Sequence, residues 1–140
     1  MKQANRLIRG FSLIELFITL VVIIVLAAMA IPAYFNFKHR AYYSDIVKAT
    51  APYQEAVATC YQNLKTLTGC NAGTNHIPVN LEKAKPPILS LSVHDGVISV
   101  IPMASHQTLV TDNFIFTPKI IDKKVEWNAS GDAVKKGYAP

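Results

Sequence analysis

Cys60 and Cys70 are the only cysteines in this 140-residue chain, and His39, His76, His94 and His106 are its only histidines. A metal centre needs three or four such ligands at short spacings, and His76, nearest in sequence to the cysteines, has no partner at motif spacing. No HExxH pattern occurs, nor a Gly-x-Ser-x-Gly elbow, nor a phosphate-binding Gly-rich loop. The expectation is therefore no catalytic site, no metal and no cofactor. The one conspicuous group left is Glu15, a carboxylate inside an apolar run. From Leu16 to Ile31 every residue except Thr19 is apolar. With Phe11, Leu13 and Ile14 the stretch reaches about 21 residues, roughly 32 Å as a helix, enough to span a bilayer once. A carboxylate in hydrocarbon costs about 2.5–3.5 kcal/mol on insertion scales, so it calls for a partner. Otherwise Glu15 must lie in the headgroup zone or favour the positive end of its own helix dipole.

The elements around Glu15 narrow these choices. The apolar fraction of 51% is only slightly above that of soluble proteins, and the surplus is concentrated at the front. The length suits one modest domain plus one special segment. The formal charge of +5 invites a nucleic-acid reading, but Lys2, Arg6 and Arg9 precede Gly10 with no acid among them. The rest of the chain carries only two more bases than acids. The bias thus reads first as a topology signal that keeps the head of the chain cytoplasmic, and only secondarily as affinity for polyanions. Composition alone admits a secretory signal peptide cut after Ala28-Met29-Ala30, or an uncut signal anchor.

Gly10-Phe11-Ser12-Leu13-Ile14-Glu15-Leu16 resembles the processing site of type IV prepilins. The short basic leader, Gly10, Phe11, Glu15, and the helix-bending positions Pro32 and Pro52 agree together, most strongly over residues 1–60. The resemblance implies that a prepilin peptidase/N-methyltransferase cuts between Gly10 and Phe11 and methylates the Phe11 amine. It implies a single-pass subunit of the bacterial inner membrane that then joins an extracellular filament, with Glu15, Phe11 and Pro32 serving assembly. Glu15 would pair with the amino terminus of a neighbouring subunit. The implied partners are further copies of the chain, the pilus assembly platform and other pilins. The implied role is a structural subunit of a fibre serving adhesion, twitching motility or DNA uptake. A pseudopilin of a type II secretion system shares the leader and helix, and a minor pilin acting as a DNA- or surface-binding module is a further alternative.

Ile46, Ala49, Tyr53, Val57, Cys60 and Leu64 recur every three or four residues, which extends the helix to about residue 64 as an amphipathic segment. Pro32 and Pro52 should bend it, because the apolar pattern resumes after each; the alternative is that Pro32 ends the membrane helix. Residues 65–87 lose periodicity and collect Gly, Asn and Pro, the mark of a loop. Beyond them, residues 88–93 and 97–102 alternate around a turn at His94-Asp95-Gly96. Residues 113–120 and 125–130 alternate around Asp122-Lys123-Lys124. Pro102 and Pro118 belong at strand edges. The expected fold class is α+β, a pilin fold whose long helix packs on about four antiparallel strands. Its segments are a leader (1–10), an apolar membrane and filament-core helix (11–37), an amphipathic helix (38–64), a loop (65–87) and a sheet with the C-terminal region (88–140).

If the head lies outside the cytoplasm, as the leader implies, Cys60 and Cys70 are expected to form a disulfide. Many pilins carry theirs nearer the carboxy terminus, and the last residues here hold no cysteine. Lys119, Lys123, Lys124, Lys135 and Lys136 make the C-terminal portion basic, with Trp127 and Tyr138 nearby. They read as a site for DNA or an anionic host surface, or as a solvated face offset by Asp122, Glu126 and Asp132.

Overall fold

Helical spacing, then a turn-rich stretch, then alternation gives an element order of one long helix followed by strands. A computed structural model describes residues 10–104 and 109–138. Helix α1 spans Leu13–Leu64 without interruption, through both Pro32 and Pro52. It ends where Lys65 turns to a left-handed φ of 56°, with the Lys65 N–H bonded to the Tyr61 carbonyl at 2.8 Å. That turn uses up one of the orphan carbonyls of a helix end. The chain forms two compact units that divide between Asn36 and Phe37.

In the second unit the buried residues of α1 are Tyr43, Ile46, Thr50, Val57 and Cys60. The expected stripe is corrected at three places: Ala49 and Leu64 are exposed, and Thr50 is buried instead. Thr50 tolerates burial because its hydroxyl donates to the Val47 carbonyl at 2.7 Å, which leaves only the methyl to pack.

Strands β1 (Ile88–His94), β2 (Val97–Pro102), β3 (Phe114–Ile121) and β4 (Lys124–Ser130) form one antiparallel sheet in the order β1-β2-β3-β4. A register shift between Ile88 and Ser90 lets Ile88, Leu91 and Val93 all face inward despite their uneven spacing. With Ile98, Val100, Phe114 and Phe116 they cover the buried face of α1. Both hairpin turns are two-residue turns with positive φ at each position: Asp95 (46°) and Gly96 (79°), then Asp122 (49°) and Lys123 (64°). This turn matches the twist of the strands, so His94 and Lys124 are not turn residues as expected but the last residue of β1, opposite Val97, and the first of β4, opposite Ile121. Gly96 is required for a second reason, since a Cβ there would lie 2.9 Å from Leu67. Pro118 sits inside β3 opposite Trp127, in a stretch with no β2 partner, where an edge strand accepts proline.

The loop of residues 65–87 is pinned to the first hairpin. Asn71 Oδ1 accepts the Asp95 N–H at 2.8 Å, Asp95 Oδ1 accepts the Gly69 N–H at 2.9 Å, and the Gly96 N–H reaches the Cys70 carbonyl at 2.9 Å. A short helix, α2 (Asp132–Lys135), follows β4, and beyond it Tyr138 is stacked between His39 and Tyr43, at 4.5 and 5.7 Å. The Tyr42 hydroxyl lies 2.8 Å from the Pro87 carbonyl and 2.6 Å from that of Met103, sharing one proton between two acceptors.

The Tyr43 hydroxyl is buried without a hydrogen-bond partner among the described residues. Burial first, and then the charge of Asp112, hold its phenol well above the usual tyrosine range. The folded state therefore keeps this proton more tightly than the unfolded chain. Its contribution is complete below about pH 10 and is lost as pH rises beyond that. Tyr43→Phe should leave urea stability at neutral pH within about 1 kcal/mol of the parent or above it, because an unpaired buried hydroxyl contributes little. It should also flatten the alkaline loss of stability. A neutral-pH loss of about 2 kcal/mol or more would reveal a bond that the hydroxyl makes and would contradict this account.

Candidate functional site

The head of α1 is where sequence and structure concentrate unusual chemistry. Ser12 precedes the helix and its carbonyl accepts the Leu16 N–H at 3.0 Å. Ser12-Leu13-Ile14-Glu15 has capping-box spacing, a local reason for an acid at this position. Glu15 lies in the first turn, exposed, and among the described residues its carboxylate has neither an ion pair nor a hydrogen bond. Its carbonyl is used, by the Thr19 hydroxyl at 2.7 Å, so the other polar residue of the run is already satisfied within the helix. Gly10 is exposed with open space about its α-carbon, and Phe11 is 66% exposed. Residues 1–9 of the expected leader lie outside the described residues.

The apolar side chains that follow have no cover. From Leu13 at 85% exposed to Phe35 at 42%, none of the large ones before residue 38 is buried. By length and composition α1 can cross a membrane. Pro32 lies within this exposed stretch and is itself exposed.

Cys60, in the last turns of α1, is joined to Cys70 by a disulfide, and both are fully buried. The bond ties the end of the helix to the loop that also grips the first hairpin turn. The histidines are dispersed: His39 stacks on Tyr138, and His94 lies 3.3 Å from Asp95. His106 falls outside the described residues. No group of three or more His, Cys, Asp and Glu among the described residues could hold a metal.

The five C-terminal lysines are not brought together as one group. Lys119, Lys123 and Lys124 lie exposed at or near the β3–β4 turn, with Lys119 opposite Glu126. Lys135 pairs with Asp132 at 3.3 Å, and Lys136 pairs with Asp112, which is 1% exposed. That bond to Asp112 is the main reason the Lys136 ammonium holds its proton above the usual lysine range. Tyr138 belongs with the helix rather than with the β3–β4 lysines. Asp112 is not legible in the sequence because nothing local marks it and its partner Lys136 lies 24 positions away, and Tyr138, legible only as an aromatic beside the lysines, packs instead on His39 and Tyr43.

A helix apolar in its first half and amphipathic in its second, packed there on a four-stranded antiparallel meander, is an α+β pilin-like fold. The chain is a relative of type IV pilins and fimbrial proteins, which are structural subunits and not enzymes. It is 36% identical over 92 residues to prepilin peptidase-dependent protein D of Escherichia coli K12, covering 66% of this chain and 62% of that protein. It is 41% identical over 69 residues to the type IV pilus subunit protein TapA of Aeromonas hydrophila, 49% of each chain. A type IV major fimbrial protein FimA of Dichelobacter nodosus is 39% identical over 65 residues, 46% of this chain and 41% of that one. The chain thus spans between two fifths and about three fifths of the length of these curated relatives. No family model matches it.

Closing the ring between Cys60 and Cys70 should contribute about 3 kcal/mol in the chain-entropy picture. Cys60→Ser with Cys70→Ser should lower the denaturant stability of the head by about that amount, and a reductant should lower the parent equally. An unchanged denaturation midpoint in both experiments would show that the loop is held by its hydrogen bonds alone.

Proposed function

We propose that the chain is a structural subunit of a type IV pilus. Its leader is removed between Gly10 and Phe11, and the Phe11 amine is methylated. The apolar part of α1 is then held in the bacterial inner membrane until the subunit joins a filament of its own kind. The partners in this reading are the prepilin peptidase/N-methyltransferase, the pilus assembly platform, other pilins and further copies of the chain. Adhesion, twitching motility and DNA uptake would be properties of the fibre and its machinery. The observation that carries the reading is the uncovered apolar helix with one unpaired carboxylate in its first turn.

The magnitudes assign different tasks to the two features. Full burial of one Leu, Ile or Phe side chain is worth about 1.5–3 kcal/mol, so covering this stretch is worth on the order of tens. Lipid and sister helices both provide that cover. The Glu15 carboxylate, at about 2.5–3.5 kcal/mol in hydrocarbon, is too small to drive association against that sum. It can decide between two apolar surroundings, because only the filament offers the charged amine of a neighbouring Phe11. Glu15 therefore sets axial register and tips the balance from storage to assembly. The names of the relatives, a type IV pilus subunit and type IV major fimbrial proteins among them, support a subunit role.

Glu15→Ala should leave cleavage at Gly10 intact, with the mature chain accumulating in membranes. The sheared filament fraction should fall about tenfold or more, the factor that corresponds to about 1.4 kcal/mol. Immunoblots of membrane and sheared fractions measure both. Normal filament yield would reduce Glu15 to a helix-dipole residue worth about 0.3–1 kcal/mol.

A further inference from the structure

The assembly reading uses the head of the apolar stretch and leaves its far end unexplained. Lys38 and Arg40 follow the aromatic residues Tyr34, Phe35 and Phe37 directly, and both are exposed. The fold of the second unit adds to them. Through the Tyr42 hydroxyl, the first turns of its helix hold the Pro87 carbonyl, and the Lys85 N–H is bonded to the Ile88 carbonyl at 2.9 Å. Exposed Lys85, two residues before Pro87, is thereby carried to the same end of the head. The acids brought to this end by the C-terminal segment are already engaged, Asp112 by Lys136 and Asp132 by Lys135. Arg40 and Lys85 make no ion pair among the described residues.

We propose that Lys38, Arg40 and Lys85 form a basic collar that binds the phosphate groups of anionic phospholipids in the outer leaflet of the inner membrane while the subunit is stored. This rests on the proposed membrane storage and adds a lipid partner to it. Before processing, Lys2, Arg6 and Arg9 outnumber Lys38 and Arg40 across the apolar stretch, and the excess places the leader on the cytoplasmic side. A cut at Gly10 removes all three. The basic side chains that remain beside the apolar stretch then lie at its outer end, next in sequence to aromatic residues suited to the headgroup depth, and outnumber the single Phe11 amine at its start. A guanidinium there matches a phosphate with two parallel hydrogen bonds, and Lys adds a point charge. Each basic residue near an anionic surface improves binding about fivefold. Extraction into a filament must release these contacts, so the anionic lipid content of the membrane bears on how readily subunits leave it.

The test reconstitutes the full chain and a Lys38→Gln/Arg40→Gln/Lys85→Gln variant into bilayers of equal parts phosphatidylcholine and phosphatidylglycerol. Association of spin-labelled phosphatidylglycerol is compared with that of spin-labelled phosphatidylcholine. The leader is the same in both proteins, so only the collar differs. The parent should prefer phosphatidylglycerol, and the preference should fall about fivefold or more in the variant. It should fall likewise for the parent in high salt, while Arg40→Lys retains it. An equal preference in parent and variant, with both proteins floating with the vesicles, overturns the collar and leaves membrane storage standing. Failure of the parent to float with vesicles of either lipid overturns storage, and the collar with it.

Discussion

A stretch of large apolar side chains with nothing to cover it is the constraint on which the rest of this chain depends. The head has its own core of Tyr43, Ile46, Leu91, Ile98, Phe114 and their neighbours, so it does not need the first half of α1 for stability. Residues 11–37 therefore act as a surface awaiting an apolar environment. Two such environments fit a helix of this length, a bilayer and a bundle of like helices. A subunit that moves from one to the other needs a feature that tells them apart. Glu15 fills that role in our account because its charge is costly in both and can be matched in only one.

The head holds α1 to the sheet with several independent devices. The disulfide closes a short ring at the helix end. The reciprocal bonds among Gly69, Asn71 and Asp95 tie the loop to the first hairpin. At the opposite end of the helical segment, Tyr138 stacks against His39 and Tyr43, and the short turn leading to it is held by Lys136 on the buried Asp112. The C-terminal lysines thereby take different tasks: Lys136 holds the buried Asp112, Lys135 pairs with Asp132 while staying exposed, and Lys119, Lys123 and Lys124 lie exposed at or near the β3–β4 turn.

Much of this was legible from the sequence, for physical reasons specific to each element. Alternation with Asp-Gly between the strands marks the first hairpin, because the turn needs positive φ twice and those residues supply it. Both turns are one residue shorter than the sequence suggests, since His94 and Lys124 are polar and exposed yet pair across their hairpins with Val97 and Ile121. The helical stripe was read by hydrophobicity alone, so Thr50 was passed over and Ala49 included. Helix α2 and the Asp112–Lys136 pair were illegible, because a four-residue helix has too few positions to show a period and the pair joins residues 24 apart. Of the candidate site, Gly10, Phe11 and Glu15 stood out as a local motif. Whether Glu15 had a partner within the chain was a question only the fold could answer.

The central claim is that the apolar helix is kept whole by a cut that exposes the Phe11 amine. The mass of the mature amino terminus, measured on protein from the native membrane, tests it most directly. The account predicts a chain that begins at Phe11 with one methyl group on its amine. A chain that begins at Ile31 would mean that a signal peptidase had removed the helix together with Glu15, and would contradict the account.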